Sequence, residues 1–454
     1  MIYIKHNISN KKNFSKVFLF FFILLFCTNV LSAPISSRTP LIRDEEALEK
    51  IQTIPPTTDI IREPIESYKP SYTEDIPQEP TLDSTISIEI LSKLNEFNGF
   101  VGFELRNLNS NTVLFEYNSE KLFIPASLTK LITAMVSLES LGDNYKFETK
   151  IYKTGEINTN FRGNLYIKGF GDPVLKNDQY KEILKRATVD RGIEKIYGDI
   201  IFDYSYLKEE GFGRGWMWDD PQPQIASLNI WQQSHESFKY KTNNEIKDYI
   251  SFLTTLILSE IGVDFYGDII YDVVPPNANL LYTHYSPPLM EIIQQMLKKS
   301  DNQIAEQLFR NLGAIYGKGT IEDSEKYFKQ VIEETLGYKP ESYVLKDGCG
   351  LSMYNMFSPK LINDILYYLY SKYGTEFLDL LASPDEESTL KNRFNFGIWG
   401  KTGSLYYDSA ISGIFKSTDG NYYLFTLMEN NFPFNVYKAK DFENDLIQFL
   451  YENL

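Results

Sequence analysis

Strand-like segments lie at both ends of the foldable part of this chain, with helices between them, and that arrangement restricts the architecture severely. Val101-Gly-Phe-Glu-Leu105 alternates like a strand, the turn Asn109-Ser-Asn-Thr112 follows, and Val113 to Tyr117 reads as a second strand. Gly397 to Leu405, Ala410 to Lys416 and Tyr422 to Met428 read as three more, before a closing helix over roughly Tyr437 to Tyr451. Two strands in front and three behind predict one antiparallel five-stranded sheet built from both ends of the chain. Helices from the intervening sequence would cover it, giving an α+β fold. A short amphipathic helix, Ile86 to Phe97, leads into the first strand. Residues 146–285 differ, being strand-rich with Gly, Asn and Asp turns. There Tyr197-Gly-Asp-Ile-Ile-Phe-Asp203 recurs as Tyr266-Gly-Asp-Ile-Ile-Tyr-Asp272. The echo is either a common turn-into-strand signature or a duplicated unit. In both cases the segment reads as inserted domain material within one domain formed by 85–145 and 286–454.

A chain of 454 residues that is 43% apolar can bury a large core and form two or three structural units. Residues 1–33 read as a secretory signal: Lys5, Lys11, Lys12 and Lys16 precede the apolar run Val17 to Phe26, with Val30-Leu-Ser-Ala33 at the expected cleavage point. The run is about half the roughly 20 residues that span a bilayer, so no stable membrane span is expected. Bulky Phe26 before Cys27 argues against a lipoprotein site. Residues 34–84, rich in proline and acids and without apolar periodicity, read as a disordered linker. Losing the four leader lysines from a chain with 45 basic and 61 acidic residues leaves a net charge of −20, which argues against nucleic acid as a partner. Only Cys349 then remains, so an internal disulfide is excluded. The two remaining histidines, His235 and His284, lie in no ligand spacing. Nothing indicates a metal or organic cofactor, and the scarcity of histidine favours lysine as a catalytic base.

Three motifs carry the chemistry. In Pro125-Ala-Ser127-Leu-Thr-Lys130 the serine falls in the first turn of an apolar helix, where backbone N–H groups favour negative charge, and Lys130 shares its face at i+3. Burial and a second cation would lower the lysine pKa enough for it to act as a base. Ser300-Asp-Asn302 lies at a break between helical stretches Leu289 to Lys298 and Gln303 to Leu312. There Ser300 can relay a proton and Asn302 can bind a substrate amide. Lys401-Thr-Gly-Ser404 lies on an edge strand, where Lys401 and Thr402 can receive a carboxylate. Gly403 lets a substrate backbone lie close, and Ser404 N–H joins Ser127 N–H as an oxyanion hole. Each string alone means little, because Ser9-Asn-Lys-Lys12, Ser227-Leu-Asn229 and Lys153-Thr-Gly155 match as well. Order and setting separate the three candidates from those copies.

With these motifs in this order, the chain resembles the class C low-molecular-mass penicillin-binding proteins, the D-alanyl-D-alanine carboxypeptidase/endopeptidase family. The resemblance runs from about Thr85 to the C-terminus and includes Gly169-Phe-Gly-Asp-Pro173, Gly215-Trp-Met-Trp-Asp-Asp220 and Asp347-Gly-Cys-Gly-Leu-Ser352. It implies a penicillin-binding, serine β-lactamase-like transpeptidase domain with a large insertion between Lys130 and Ser300. The implied reaction is acylation of Ser127 by a peptide ending in D-Ala-D-Ala, loss of D-alanine, then hydrolysis. Cleavage of D,D-cross-links in peptidoglycan would use the same site, and β-lactams would be covalent inhibitors. The implied location is outside the cytoplasm, in the periplasm or cell-wall space. Asp220, with Asp219 the other possibility, matches the family's contact to the side chain of the stem-peptide diamino acid. Two departures stand out: Cys349 replaces a serine, and Met353 replaces an arginine that would face that amino acid's distal carboxylate. Stem peptides with and without that carboxylate are therefore expected to be turned over at indistinguishable rates; strong dependence on it would refute the expectation. A β-lactamase or esterase on the same fold remains an alternative, as does a catalytically silent wall-binding homologue, although all six polar motif residues are present.

Overall fold

The computed structural model describes residues 82–230 and 243–454; the leader and nearly all of the linker lie outside the described residues. Asp83 accepts a hydrogen bond from Thr85 N and starts helix α1 (Ser84–Glu96), slightly earlier than the expected Ile86. Strands β1 (Phe100–Asn107) and β2 (Val113–Tyr117) follow, then helix α2 (Thr129–Leu141). After a long middle segment come helices α5 (Leu289–Lys299), α6 (Asn302–Ile315), α7 (Ile321–Leu336) and α8 (Pro359–Tyr373). The chain closes with β11 (Ile398–Ser404), β12 (Asp408–Lys416), β13 (Tyr422–Asn430) and α9 (Val436–Asn453). The main sheet has the order β11-β12-β13-β1-β2 and is antiparallel throughout, with Phe103 opposite Leu427 at its centre.

Both faces of this sheet are covered, which is why β13 is apolar in nearly continuous sequence and buried from Tyr423 onward. On one face α1 and α9 bring Ile90, Leu94, Leu446 and Leu450 against Phe103, Phe415 and Phe425. On the other, α8 lies against β13 and β1, and α2, buried from Thr129 through Leu138, is enclosed by α5, α6, α7 and α8. A helix in that position offers a rigid platform for side chains in its first turn.

The middle segment forms its own sheet and core. Between α2 and α5 lie β3 (Glu148–Lys153), β4 (Asn160–Phe161), β5 (Leu165–Gly169), α3 (Asn177–Ala187), β6 (Lys195–Ile196), β7 (Ile200–Asp203), α4 (Asn243–Glu260), β8 (Asp264–Phe265), β9 (Ile269–Tyr271) and β10 (Asn279–Tyr285). One sheet runs β10-β3-β5-β7-β9 and a small one β4-β6-β8. The echoed heptapeptides are adjacent parallel strands, Ile200 opposite Ile269, with α4 as the crossover. A third copy appears beside them. Arg162-Gly-Asn164 joins β4 to β5 as Tyr197-Gly-Asp199 joins β6 to β7. Asn164 Oδ1 accepts from Asp199 N, and Asp199 Oδ1 accepts from Asp268 N, each at 2.9 Å. Tyr197 stacks on Tyr266 at 5.0 Å, and Arg162 lies over the Tyr197 ring. Three like turns are thus joined by two equivalent hydrogen bonds, which favours the duplicated-unit reading.

Candidate active site

Ser127 lies in a single 3-10 turn, Ala126–Leu128, that runs directly into α2. Ala126 has φ +47°, an uncommon left-handed conformation for a residue with a side chain, and it is buried. The turn is held from below: Thr129 Oγ1 donates to Ala126 O at 2.8 Å. One helical turn on, Lys130 is fully buried, and its Nζ has three neighbours. It reaches Ser127 Oγ at 2.9 Å, Asn302 Oδ1 at 2.6 Å and the Cys349 carbonyl at 2.5 Å.

Two of those neighbours are carbonyl oxygens, which only accept. In the neutral amine, the two N–H bonds are therefore taken up by Asn302 and Cys349, and the lone pair is left facing Ser127. A lysine so placed is able to take the serine proton. Burial lowers the Lys130 pKa from the ordinary lysine value, opposed by Cys349, Asp347, Asp301 and Glu306.

Ser300 ends α5 in the left-handed conformation, φ +56°, and Asp301 then caps α6 by accepting from Ile304 N. This sharp reversal turns Ser300 and Asn302 toward the lysines. Lys401, also fully buried, donates to Ser300 Oγ at 2.8 Å and to Thr402 O at 2.6 Å. Burial, then repulsion from Lys130, pulls its pKa well below the usual lysine value. Strand β11 is a sheet edge, and at Gly403 it runs against the Ser127 turn: a Cβ there would be 3.0 Å from Ser127 N. Ser404 follows at the exposed end of the strand.

Thus Ser127, Lys130 and Asn302 are brought into one hydrogen-bonded group, and Ser300 and Lys401 into another, with Thr402 and Gly403 alongside. The Asn302 carbonyl is taken up by Lys130, so its amide nitrogen is the group able to donate to a substrate. Asp220 hydrogen-bonds none of them among the described residues. It is half-buried in the loop after Trp216, and burial, followed by the charge of Asp219, raises its pKa. The rival strings take structural positions. Ser227 Oγ donates to Tyr204 O and accepts from Leu207 N, while Lys153 donates to the turn carbonyl of Gly155. Ser9 lies outside the described residues.

The segment Asp347–Ser352 contributes more than its sequence signals. It supplies the Cys349 carbonyl to Lys130 and the Gly348 carbonyl to Thr133 at 2.6 Å. Gly348 N donates to Glu306, whose carboxyl burial pushes up to about 8. Gly350, φ +86°, passes so close to Ala126 that a Cβ would be 1.9 Å from its carbonyl oxygen. The Cys349 thiol itself is buried, which pushes its pKa well up; its backbone carbonyl is the atom that hydrogen-bonds the lysine. A backbone carbonyl leaves no residue signature, so no sequence signal pointed to it.

A model of the D-Ala-D-Ala carboxypeptidase 3 (S13) family matches residues 88–246 and 233–453. The chain belongs to this family. The D-alanyl-D-alanine carboxypeptidase DacB of Haemophilus influenzae is 24% identical over 449 residues, covering 82% of this S13 chain and 93% of the relative. The D-alanyl-D-alanine carboxypeptidase of Actinomadura sp. is 22% identical, covering 68% and 73% respectively. Among solved structures, penicillin binding protein 4 of H. influenzae superposes with a TM-score of 0.71 at 24% identity, covering 81% of this chain and 99% of that one. A predatory peptidoglycan endopeptidase of Bdellovibrio bacteriovorus gives 0.55 at 19% identity, covering 77% and 92%. The S13 fold is thus shared across most of the described residues. No helix among them is long and apolar enough to cross a membrane.

Proposed function

We propose that Ser127 is the nucleophile through which this serine D,D-peptidase removes the terminal D-alanine from stem pentapeptides of peptidoglycan and opens D,D-cross-links. The supporting observation is the Lys130 amine, whose three neighbours leave its lone pair to Ser127. Lys130 takes the Ser127 proton as Oγ bonds to the carbonyl carbon of the penultimate D-alanine. The backbone N–H groups of Ser127 and Ser404 receive the developing oxyanion. Collapse breaks the C–N bond. The leaving nitrogen takes a proton from Ser300, whose hydroxyl is hydrogen-bonded by Lys401. Ser300 recovers its proton from the Lys130 ammonium, so that it relays the Ser127 proton and Lys130 returns to the neutral amine. Water then hydrolyses the acyl-enzyme.

Lys401 and Thr402 hold the substrate's terminal carboxylate, Gly403 lies along its backbone, and Asp220 meets the side chain of the diamino acid. Stem peptides and β-lactams are the partners of this reading. A β-lactam complex of the H. influenzae protein and a penicillin-acylated form of the Bdellovibrio enzyme support the second. The site of action is outside the cytoplasm, in the periplasm or wall space.

Labelled penicillin followed by mass mapping tests this directly. The adduct is expected on Ser127, with D-alanine released from a pentapeptide, and both vanish in Ser127→Ala. An adduct elsewhere, or one that survives the substitution, would end the assignment.

A further inference from the structure

The carbonyl that orients Lys130 is itself held by one buried carboxylate. Asp347 Oδ1 accepts from Gly350 N at 2.8 Å and from Asn355 Nδ2 at 2.7 Å. Its Oδ2 accepts from Ser352 N at 2.7 Å, from Trp216 Nε1 at 2.7 Å and, more loosely, from the Cys349 thiol at 3.5 Å. Four of these donors belong to the same short segment as Asp347. Trp216 does not. It comes from the middle segment, 131 positions away, in the loop that also carries Asp219 and Asp220.

Further bonds fasten that loop at the same place. Met353 N donates to Gly215 O at 3.0 Å, and Ser352 Oγ donates to Arg214 O at 2.6 Å. Gly213 and Gly215 make the approach possible. A Cβ on Gly213 would lie 2.3 Å from the indole, and one on Gly215 2.8 Å from Ser352 and Tyr354. The loop is folded so that its tryptophan points inward at Asp347, while Trp218, two residues on, is 85% exposed.

We propose that Trp216 is a positioning residue for the catalytic base. Its indole N–H, acting through Asp347, fixes the Cys349 carbonyl against Lys130 and moderates the negative charge that Lys130 meets. This rests on the reading of Lys130 as base. It adds that the inserted segment sets the working state of the base as well as meeting substrate.

The groups facing Lys130 are Asp347 and Cys349 from the 347–352 segment, Asp301 and Glu306 from the start of α6, and Lys401 from β11. Removing one hydrogen bond from Asp347 leaves its charge less compensated. The ammonium form of Lys130 is then favoured, and its pKa rises. Because the neutral amine is the active form, the acid limb of the acylation profile moves to higher pH.

Trp216→Phe retains an aromatic ring and removes the donor. Penicillin acylation of Ser127 and pentapeptide hydrolysis, each followed against pH, are expected to show an acid limb raised by about half a pH unit or more. At neutral pH kcat is expected to fall several-fold, with KM little changed. Trp218→Phe should leave the acid limb in place. If Trp216→Phe does not fold, benzothienylalanine at position 216, isosteric with tryptophan but lacking N–H, is read in the same way. An unmoved acid limb in a folded, acylation-competent variant, with only its melting temperature lowered, overturns the inference. Absence of a Ser127 adduct in the unmodified protein overturns the proposed function instead, so the two failures are separable.

Discussion

Lys130→Ala is expected to slow penicillin acylation of Ser127 by on the order of 10²- to 10⁴-fold, the usual contribution of a positioned base. The reason is stereochemical as well as electrostatic. In the neutral amine the Lys130 lone pair faces Ser127, because the Asn302 Oδ1 and Cys349 O atoms that it meets only accept. No other described amine reaches that hydroxyl, since Lys401 donates to Ser300 and Thr402 instead. The substitution also strands two buried acceptors, so some loss of stability accompanies it. Acylation must therefore be expressed per folded molecule, with melting followed in parallel. Lys130→Arg sharpens the test, because a guanidinium retains charge and donors but does not become neutral. It is expected to be as slow as alanine. Acylation at the unmodified rate in either folded variant would remove Lys130 from the role of base.

Gly350→Ala is expected to be nearly as damaging, although residue 350 touches no substrate. At φ +86° any side chain is strained, and here the new Cβ would lie 1.9 Å from the Ala126 carbonyl oxygen and 3.0 Å from Thr129 Oγ1. Neither neighbour is the free end of a flexible side chain. The Ser127 turn or the Cys349 carbonyl must move, and each is part of the lysine's surroundings. A stability loss on the order of 3 kcal/mol is expected from strain and overpacking together. Acylation of the folded fraction should fall by on the order of 10²-fold, the penalty of displaced reacting groups. Gly337→Ala is the control: its φ is +76°, but a Cβ there meets nothing within 4 Å. It should cost about 1 kcal/mol and leave acylation untouched. Equal acylation in the two glycine variants would show that the close approach at Gly350 has no bearing on the nucleophile.

The legible parts were those governed by short-range geometry. Ser127 and Lys130 share a helix face at any i+3 spacing, and β2 is found where the turn before it places it, Val113 to Tyr117. The five-strand sheet was readable because its strands carry apolar runs bounded by turns. The helix break at Ser300 was readable too, but the left-handed Ser300 backbone that aims it was not, because serine carries no preference for that conformation. The third repeat is hidden in the sequence because Arg162 stands where its sister turns have tyrosine, and Asn164 where they have aspartate. What repeats is a glycine, followed in the first two turns by a side-chain oxygen that accepts from the next turn. The Cys349 carbonyl and the Trp216–Asp347 bond were hidden for another reason. They join positions 219 and 131 residues apart, through a backbone atom in one case and a single indole nitrogen in the other.

The strand order has one more consequence, for the timing of synthesis. Strand β1 finds its inner neighbour only when β13 exists, more than three hundred positions later. Contacts so distant in sequence close slowly, and a growing chain presents its early segments first. The middle sheet, by contrast, draws every strand from residues 148–285 and can be complete while β11 is still unmade. Ser127 and Lys130 would therefore be present for most of synthesis without the strand that carries Lys401. A site that needs Lys401 beside Ser300 is thereby incomplete until almost the last strands have emerged.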